Sequence, residues 1–469
     1  MLELKRQPFA GRLVMIGYGS IGRGVLPLLL RHIDLEPSRI LLICPSDAAF
    51  EAHQQFAVQV EQQALTEDNF HACLEPRLNA GDFLLNLSVQ VSSQALLAFC
   101  QARGALYLDT CTEPWPGGYD SDRQTPQACT NYALRHGILA LRGSRDTATS
   151  ILTHGANPGL VSHLVKHALE NLAVDLGHAQ PACASREDWA QLAQTLGIKA
   201  IHIAEYDSQF SSLRKQPGEF VNTWSVDGFI AEACQPAELG WGTHESALPA
   251  DARRHPTGSQ AAIYLQRPGA ATQVHTWTPG TGATLGFLVT HSESISIAEY
   301  LTLGEGAHPH YRPTVHYAYR PCDDALLSLH ELAARHWQAQ PRQRLLDDDI
   351  VGGRDELGVL LMGHAKNAYW YGSTLTIEEA RSLCPHNSAT SLQVTAAVMA
   401  GVIWAMKNPR RGILEPDELP HREILQMCDP YLGELRGFYT DWTPLGSTSE
   451  DTDNATGDDP WQFRHVRFG

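Results

Sequence analysis

Arg12-Leu13-Val14-Met15-Ile16-Gly17-Tyr18-Gly19-Ser20-Ile21-Gly22 is the stretch whose reading decides the fold. An apolar run suited to a buried parallel strand enters Gly-x-Gly-x-x-Gly and leaves it in a helical pattern, with Ile21, Val25, Leu28 and Leu29 at helical spacing. In a dinucleotide-binding turn Gly17 permits the sharp bend, Gly19 lets a pyrophosphate approach the backbone, and Gly22 lets the helix pack close to the strand. Ser20 and Ile21 complete the loop at the helix N-terminus, where unpaired N–H groups and the positive dipole end favour phosphate. Pro27 cannot donate its helical hydrogen bond, so a kink is expected there.

A second strand, Ile40-Leu41-Leu42-Ile43, follows, but Cys44 stands where an acid normally binds the ribose hydroxyls of the cofactor. Ser46 and Asp47 can substitute from the loop. No arginine stands beside them to hold a 2′-phosphate, so NAD is favoured over NADP. Strands and helices then alternate at short intervals: Phe83-Leu84-Leu85-Asn86-Leu87-Ser88 reads as a strand, 92–101 as a helix, and Ala105-Leu106-Tyr107-Leu108-Asp109 as the next strand. Ligands of such sheets lie beyond the strand C-termini, so residues 88–92, beginning with Ser88, and 110–115, beginning with Thr110, are expected at the nicotinamide end.

Beyond Asp175 the texture changes to strand-like segments at 200–204, 221–226, 261–265, 273–277 and 285–289 with few helices between, which predicts a mainly antiparallel sheet in a second domain. A helix at 160–172, after the turn Asn157-Pro158-Gly159, precedes this change; amphipathic helices return at 326–338 and 376–383, and a helix rich in small residues at 390–401 is suited to rejoin the first domain. The expected fold is therefore α/β, a doubly wound parallel sheet plus an α+β domain: residues 1–153 form the dinucleotide-binding domain, rejoined by a helical segment at about 385–412, and 154–384 with 413–469 form the second. Residues 447–459 are polar and acidic, as in a mobile surface loop.

The 469 residues, 43% of them hydrophobic, can bury a large core. A net charge of −17 argues against nucleic-acid binding and is compatible with a cationic substrate. The strongly apolar run at 395–406 is too short to cross a bilayer, and Met1-Leu2-Glu3-Leu4-Lys5 has no signal-peptide pattern, so a cytoplasmic location is expected and no membrane. Ten scattered cysteines form no Cys-x-x-Cys and no Cys/His cluster of zinc spacing, so neither disulfides nor a metal are expected.

Four stretches of the second domain combine acids with aromatics and lack lysine and arginine: 202–207 around Glu205, 222–232 around Trp224 and Glu232, 235–245, and Thr290-His291-Ser292-Glu293. Acids beside aromatic faces bind organic cations. The plainer alternative is acids on the solvent side of strands and tryptophans in the core.

Several segments resemble the bacterial homospermidine synthases, of the saccharopine dehydrogenase-like group: the glycine loop through Gly24, Asn86-Leu-Ser-Val89, Glu113-Pro-Trp115, Thr130-Asn-Tyr-Ala-Leu-Arg135, Gly155-Ala-Asn-Pro-Gly159, Val221-Asn-Thr-Trp-Ser225, residues 236–245 and Asn367-Ala-Tyr-Trp-Tyr-Gly372. The resemblance covers essentially the whole chain. It implies a homodimer that joins two putrescines into homospermidine with loss of ammonia, with spermidine as an alternative donor and NAD as a tightly held group. By motif, Trp224 would be the cation-binding aromatic, Glu205 and Glu232 would hold ammonium groups, and Glu113, Asn157, His291 and Glu293 would complete the pocket. Gln90 stands where the family often has Asp, so it can hydrogen-bond an amine but not pair with its charge. A saccharopine- or carboxynorspermidine-type reductase is the nearest rival; its carboxylate substrates call for arginine or lysine clamps. An NAD-binding sensor without turnover is the rival of another class.

Overall fold

The computed structural model describes residues 6–119, 125–143, 145–304, 308–446 and 458–469. The expected surface loop at 447–459 lies outside these except for its last two residues, and Met1 to Lys5 lie outside them too. Strand Leu13–Ile16 sits inside a seven-stranded sheet in which every pairing is parallel. To one side lie Ile40–Cys44 and Gln59–Gln62; to the other lie Phe83–Asn86, Leu106–Asp109, Ser150–Ile151 and Ile413–Leu414. The strand order reverses beside Leu13–Ile16, which opens a crevice beyond the strand C-termini.

Gly17 has φ +90°, and a Cβ there would meet the Leu87 carbonyl oxygen at 2.9 Å, so two strand ends approach each other across a position that no side chain could occupy. The helix Ser20–His32 that follows runs through Pro27 without interruption in its assignment. Its buried face (Val25, Leu26, Leu28, Leu29) is held by packing, which offsets the one hydrogen bond that proline removes.

The second domain is built on an eleven-stranded mixed sheet. Ala200–Asp207 lies parallel to Thr314–Arg320 and antiparallel to Arg354–His364, which forms a long hairpin with Asn367–Thr376. Most other pairings are antiparallel. The segment expected as a strand at 221–226 divides: the strand is Glu219–Asn222, and a helix Val226–Cys234 begins four residues later. Ser225 causes the change, because its hydroxyl accepts from the Gly228 amide at 3.1 Å and caps the helix. The strand expected at 285–289 is Gly282–Phe287, and the helix expected at 326–338 is Asp323–Ala334, ended where His336 and Trp337 take positive φ.

The helix Ala389–Lys407 is 19 residues long and apolar enough to cross a membrane by length and composition, longer than the run read from sequence, but 94% of its most apolar window is buried inside the protein. It is a core helix. Asn387 donates to the Gly24 carbonyl at 3.2 Å, so the helix start is fixed to the glycine-loop helix, and Gly401 lies against Leu108 of the parallel sheet. The chain then adds Ile413–Leu414 to the sheet edge, two residues past 412.

Candidate active site

The ends of three parallel strands and the start of the glycine-loop helix form one wall of a cavity of about 110 Å³, with Ile21, Leu87, Ser88, Thr110, Cys111 and Glu113 among its lining residues. The turn Gly155–Pro158 closes the floor, Thr390 and Val394 reach in from the long helix, and the second domain supplies Glu205, Trp224, Glu232, His291 and Tyr317. Among the described residues, no lysine or arginine lines it. A side chamber of about 20 Å³, room for one water-sized molecule, shares Cys111, Glu113, Glu232 and His291 with the main cavity.

Glu205 points from strand Ala200–Asp207 and is buried. One of its oxygens accepts from the Tyr317 hydroxyl and from Asn157 Nδ2, each at 2.6 Å. Burial pushes its pKa up to about 7 against these two hydrogen bonds, and neighbouring Asp207 adds to the rise. Behind it, Asp207 accepts from Thr223 and Gln209, and Asp355 accepts from Thr390; burial raises Asp207 to about 6 and Asp355 well above the ordinary carboxylate range. The Trp224 indole N–H donates to the Tyr319 hydroxyl at 3.2 Å, and its ring lies 5.3 Å from that of Phe229, so its orientation is fixed from both sides.

Beside Tyr317, with ring centroids 4.3 Å apart, His291 has Glu232 at 3.0 Å from Nε2 and Glu293 at 3.2 Å from Nδ1. Burial opposes a charge on the ring, but Glu293 and Glu232 outweigh it, and the imidazole is held protonated with its pKa well above the usual value. Glu113 faces this group from the end of strand Leu106–Asp109. Burial pushes its pKa up to about 7, the Gln90 amide 3.1 Å away lowers it, and Glu232 raises it.

Glu113, Asn157, Glu205, Trp224, Glu232 and His291 thus meet in one cavity. Two of the residues expected there do not line it. Gln90 has φ +59° and turns its side chain to solvent, so only its backbone N–H serves the site, through Glu113. Glu293 is buried behind His291 and reaches the cavity only through the ring. The acids at 238 and 245 hold structure instead: Glu238 accepts from the Asn131 and Tyr132 amides at the start of helix Asn131–Leu139, and Glu245 accepts from the Phe463 amide. Tyr317, Tyr319, Thr390 and Asp355 were not foreseen. Tyr317 and Tyr319 lie two apart in a strand, so alternation puts them on one face, and that pattern was available to find them.

At the glycine loop, Gly19 has nothing within 4 Å of where a Cβ would stand, and the helix Ser20–His32 has neither a side-chain cap nor an acid in its first turn. Unpartnered N–H groups facing open space fit a pyrophosphate. Cys44 is buried, Ser46 accepts from the Ala48 amide, and Asp47 accepts from Gln62. The nearby Arg23 is paired with Glu51 at 3.2 Å and Asp347 at 3.8 Å, which leaves it little charge to offer a 2′-phosphate.

The family model "Saccharopine dehydrogenase NADP binding domain" matches residues 13–152, and "Saccharopine dehydrogenase C-terminal domain" matches 155–440. The chain is 52% identical to the homospermidine synthase of Blastochloris viridis over 466 residues, covering 97% of each chain. It is 48% identical to that of Mesorhizobium japonicum over 468 residues, covering 97% of this chain and 96% of the relative. The crystal structure of the homospermidine synthase from Legionella pneumophila in complex with NAD superposes with a TM-score of 0.91 at 47% identity, covering 99% of both chains. With both halves of the chain matched and the relatives spanning its full length, the chain belongs to the homospermidine synthase family of saccharopine dehydrogenase-like proteins.

Proposed function

We infer that the chain is an NAD-dependent aminobutyl-transferring enzyme that makes homospermidine from putrescine, with spermidine as an alternative donor. The observation that carries this reading is the cavity itself: acids and an oriented tryptophan, without one lysine or arginine, set against the strand ends beside the glycine loop. The same absence speaks against a reductase of carboxylate substrates, which needs a cationic clamp.

The turn from Gly17 to Gly22 and the loop residues Ser46, Ser88, Thr110 and Asn157 would hold NAD. When bound, NAD supplies a hydride acceptor for the amine-bearing carbon and returns the hydride to a later imine. For that, the reacting amine must lose its proton while the remote ammonium stays charged. Glu205, fixed by Tyr317 and Asn157, anchors the remote ammonium. Glu113, with its pKa near neutrality, accepts the proton of the reacting amine, a match of acidity to working pH. Loss of hydride leaves an iminium, whose charge the Trp224 ring face stabilises. A second putrescine amine attacks this carbon, the C–N bond to the first nitrogen breaks, and the protonated His291 or Glu113 gives the departing ammonia its proton. Glu232 holds the acceptor's ammonium. The cavity walls keep bulk water from hydrolysing the imine.

The reading includes a cytoplasmic homodimer, with residues 154–384 and 413–469 carrying both the polyamine site and the dimer contact. Incubation of purified protein with putrescine and NAD, with products identified by mass, tests it. Homospermidine without net NADH is the expected result; accumulation of NADH and aminobutanal would make the protein a simple amine dehydrogenase.

A further inference from the structure

Outside the residues that line the cavity, His167 and Glu170 stand one helical turn apart on helix Leu160–Asp175, and His421 opens helix His421–Cys428 against them. Three atoms converge: His167 Nδ1, Glu170 Oε2 and His421 Nε2 all lie within 4.8 Å of one another. Glu170 Oε2 is 3.2 Å from His421 Nε2 and 3.9 Å from His167 Nδ1, yet none of the three makes a hydrogen bond of acceptable geometry among the described residues. Glu170 and His421 are more than nine-tenths buried. Both rings are held by aromatic neighbours, His167 stacked on Tyr371 at 5.0 Å and His421 edge-on to Trp189 at 5.2 Å.

Two imidazole nitrogens without a hydrogen bond, converging with a carboxylate oxygen whose ion-pair partner is an exposed arginine, are what a transition-metal ion requires. We propose that His167, Glu170 and His421 form a zinc site that staples helix His421–Cys428, on the stretch of chain that leaves the parallel sheet, to helix Leu160–Asp175. Two imidazoles and one carboxylate suit Zn²⁺. Ligand atoms of a tetrahedral site with bonds of ~2.1 Å stand roughly 3.4 Å apart, so the Glu170–His421 spacing fits and His167 needs only a small rotation. A wide cleft lined by Glu170 and His421 leaves access for the ion and for a water as fourth ligand. Arg422 competes: its Nη2 lies 2.9 Å from Glu170 Oε2, but its side chain is 61% exposed and free to swing away. The ligands are some 250 positions apart in the chain, which is why cysteine and histidine spacing could not disclose the site.

The test is titration of untagged, full-length, NAD-loaded protein with Zn²⁺ by calorimetry, beside thermal melting with and without the ion. One ion per chain and a raised Tm are expected, both lost in His421→Gln and His167→Gln with affinity falling by more than about a hundredfold, beyond what loss of an outer partner costs. Arg422→Gln should bind Zn²⁺ more tightly, since it removes the competing cation. Polyamine turnover should be unchanged in His421→Gln, because the cluster lies outside the cavity. Zinc bound equally by wild type and both histidine variants, or no binding at micromolar Zn²⁺, overturns the proposal.

Discussion

Two glutamates of one cavity, Glu205 and Glu232, sit in different electrical settings. Among the described residues Glu205 is hydrogen-bonded by neutral donors, Tyr317 and Asn157, has two further buried acids behind it, and has His291 near it without a direct bond, across Tyr317. Glu232 shares a protonated histidine with Glu293. An acid without a cation gains most from a substrate ammonium; an acid already paired with a cation gains less but can pass protons. The difference teaches that one acid is placed to anchor and the other to handle protons.

Glu205→Gln should break the anchoring end most severely. It keeps the shape that Tyr317 and Asn157 grip and removes the charge, so kcat/KM for putrescine should fall by about 3 kcal/mol, the upper range for a charged hydrogen bond. Glu232→Gln should cost less, roughly 2 kcal/mol, because His291 already offsets part of that charge. Equal losses in the two variants would erase the contrast between the two acids.

Trp224 lines the same cavity. Trp224→Phe should lose about 1 kcal/mol and Trp224→Leu about 2 kcal/mol of transition-state stabilisation, with Tm near wild type in both. A leucine variant as active as the phenylalanine one would reduce the ring to packing. Tyr317→Phe is subtler: it removes a hydrogen bond that lowers the Glu205 pKa, so the acid limb of the kcat/KM profile should move upward, with a loss of about 1 kcal/mol at neutral pH. An unmoved acid limb would detach that limb from Glu205.

Stability should follow the same acids. Glu113 and Glu205 ionise near 4 when unfolded and near 7 when folded, so between these values the folded state holds more protons. Raising pH through 7 therefore withdraws stability from the polyamine-free protein. Its Tm should fall from pH 6 to pH 8, and putrescine should restore more of it at pH 8 than at pH 6. A Tm that climbs over this range in the absence of polyamine would contradict the raised pKa values.

The parallel sheet was legible because its signals are local: Leu13–Ile16 and the glycines lie side by side in the chain. Trp224 was misread as strand because Val221-Asn-Thr-Trp alternates like one, and the cap made by Ser225 was overlooked. The acids at 238 and 245 carry the same composition as those at 205 and 232, and composition cannot tell a helix cap from a ligand. Gln90 was read as a side chain when its amide is what matters. The pairing of Asp355 with Thr390 and of His291 with Glu232 depends on contacts across 35 and 59 residues, which no short window contains.

The late return of the chain to its first sheet has a consequence for biosynthesis. Strand Ile413–Leu414 and the helix covering Leu108 are made roughly 260 residues after the other sheet strands, a delay on the order of 10–50 s at ~5–20 residues per second. Through that interval the nascent sheet has an open edge at Ser150–Ile151 and an apolar face without its lid. Such a chain is exposed to edge-to-edge association until translation is nearly finished. Slower growth at low temperature or a surplus of chaperone that shields apolar surface should therefore raise the yield of native protein more than any change to its finished surface.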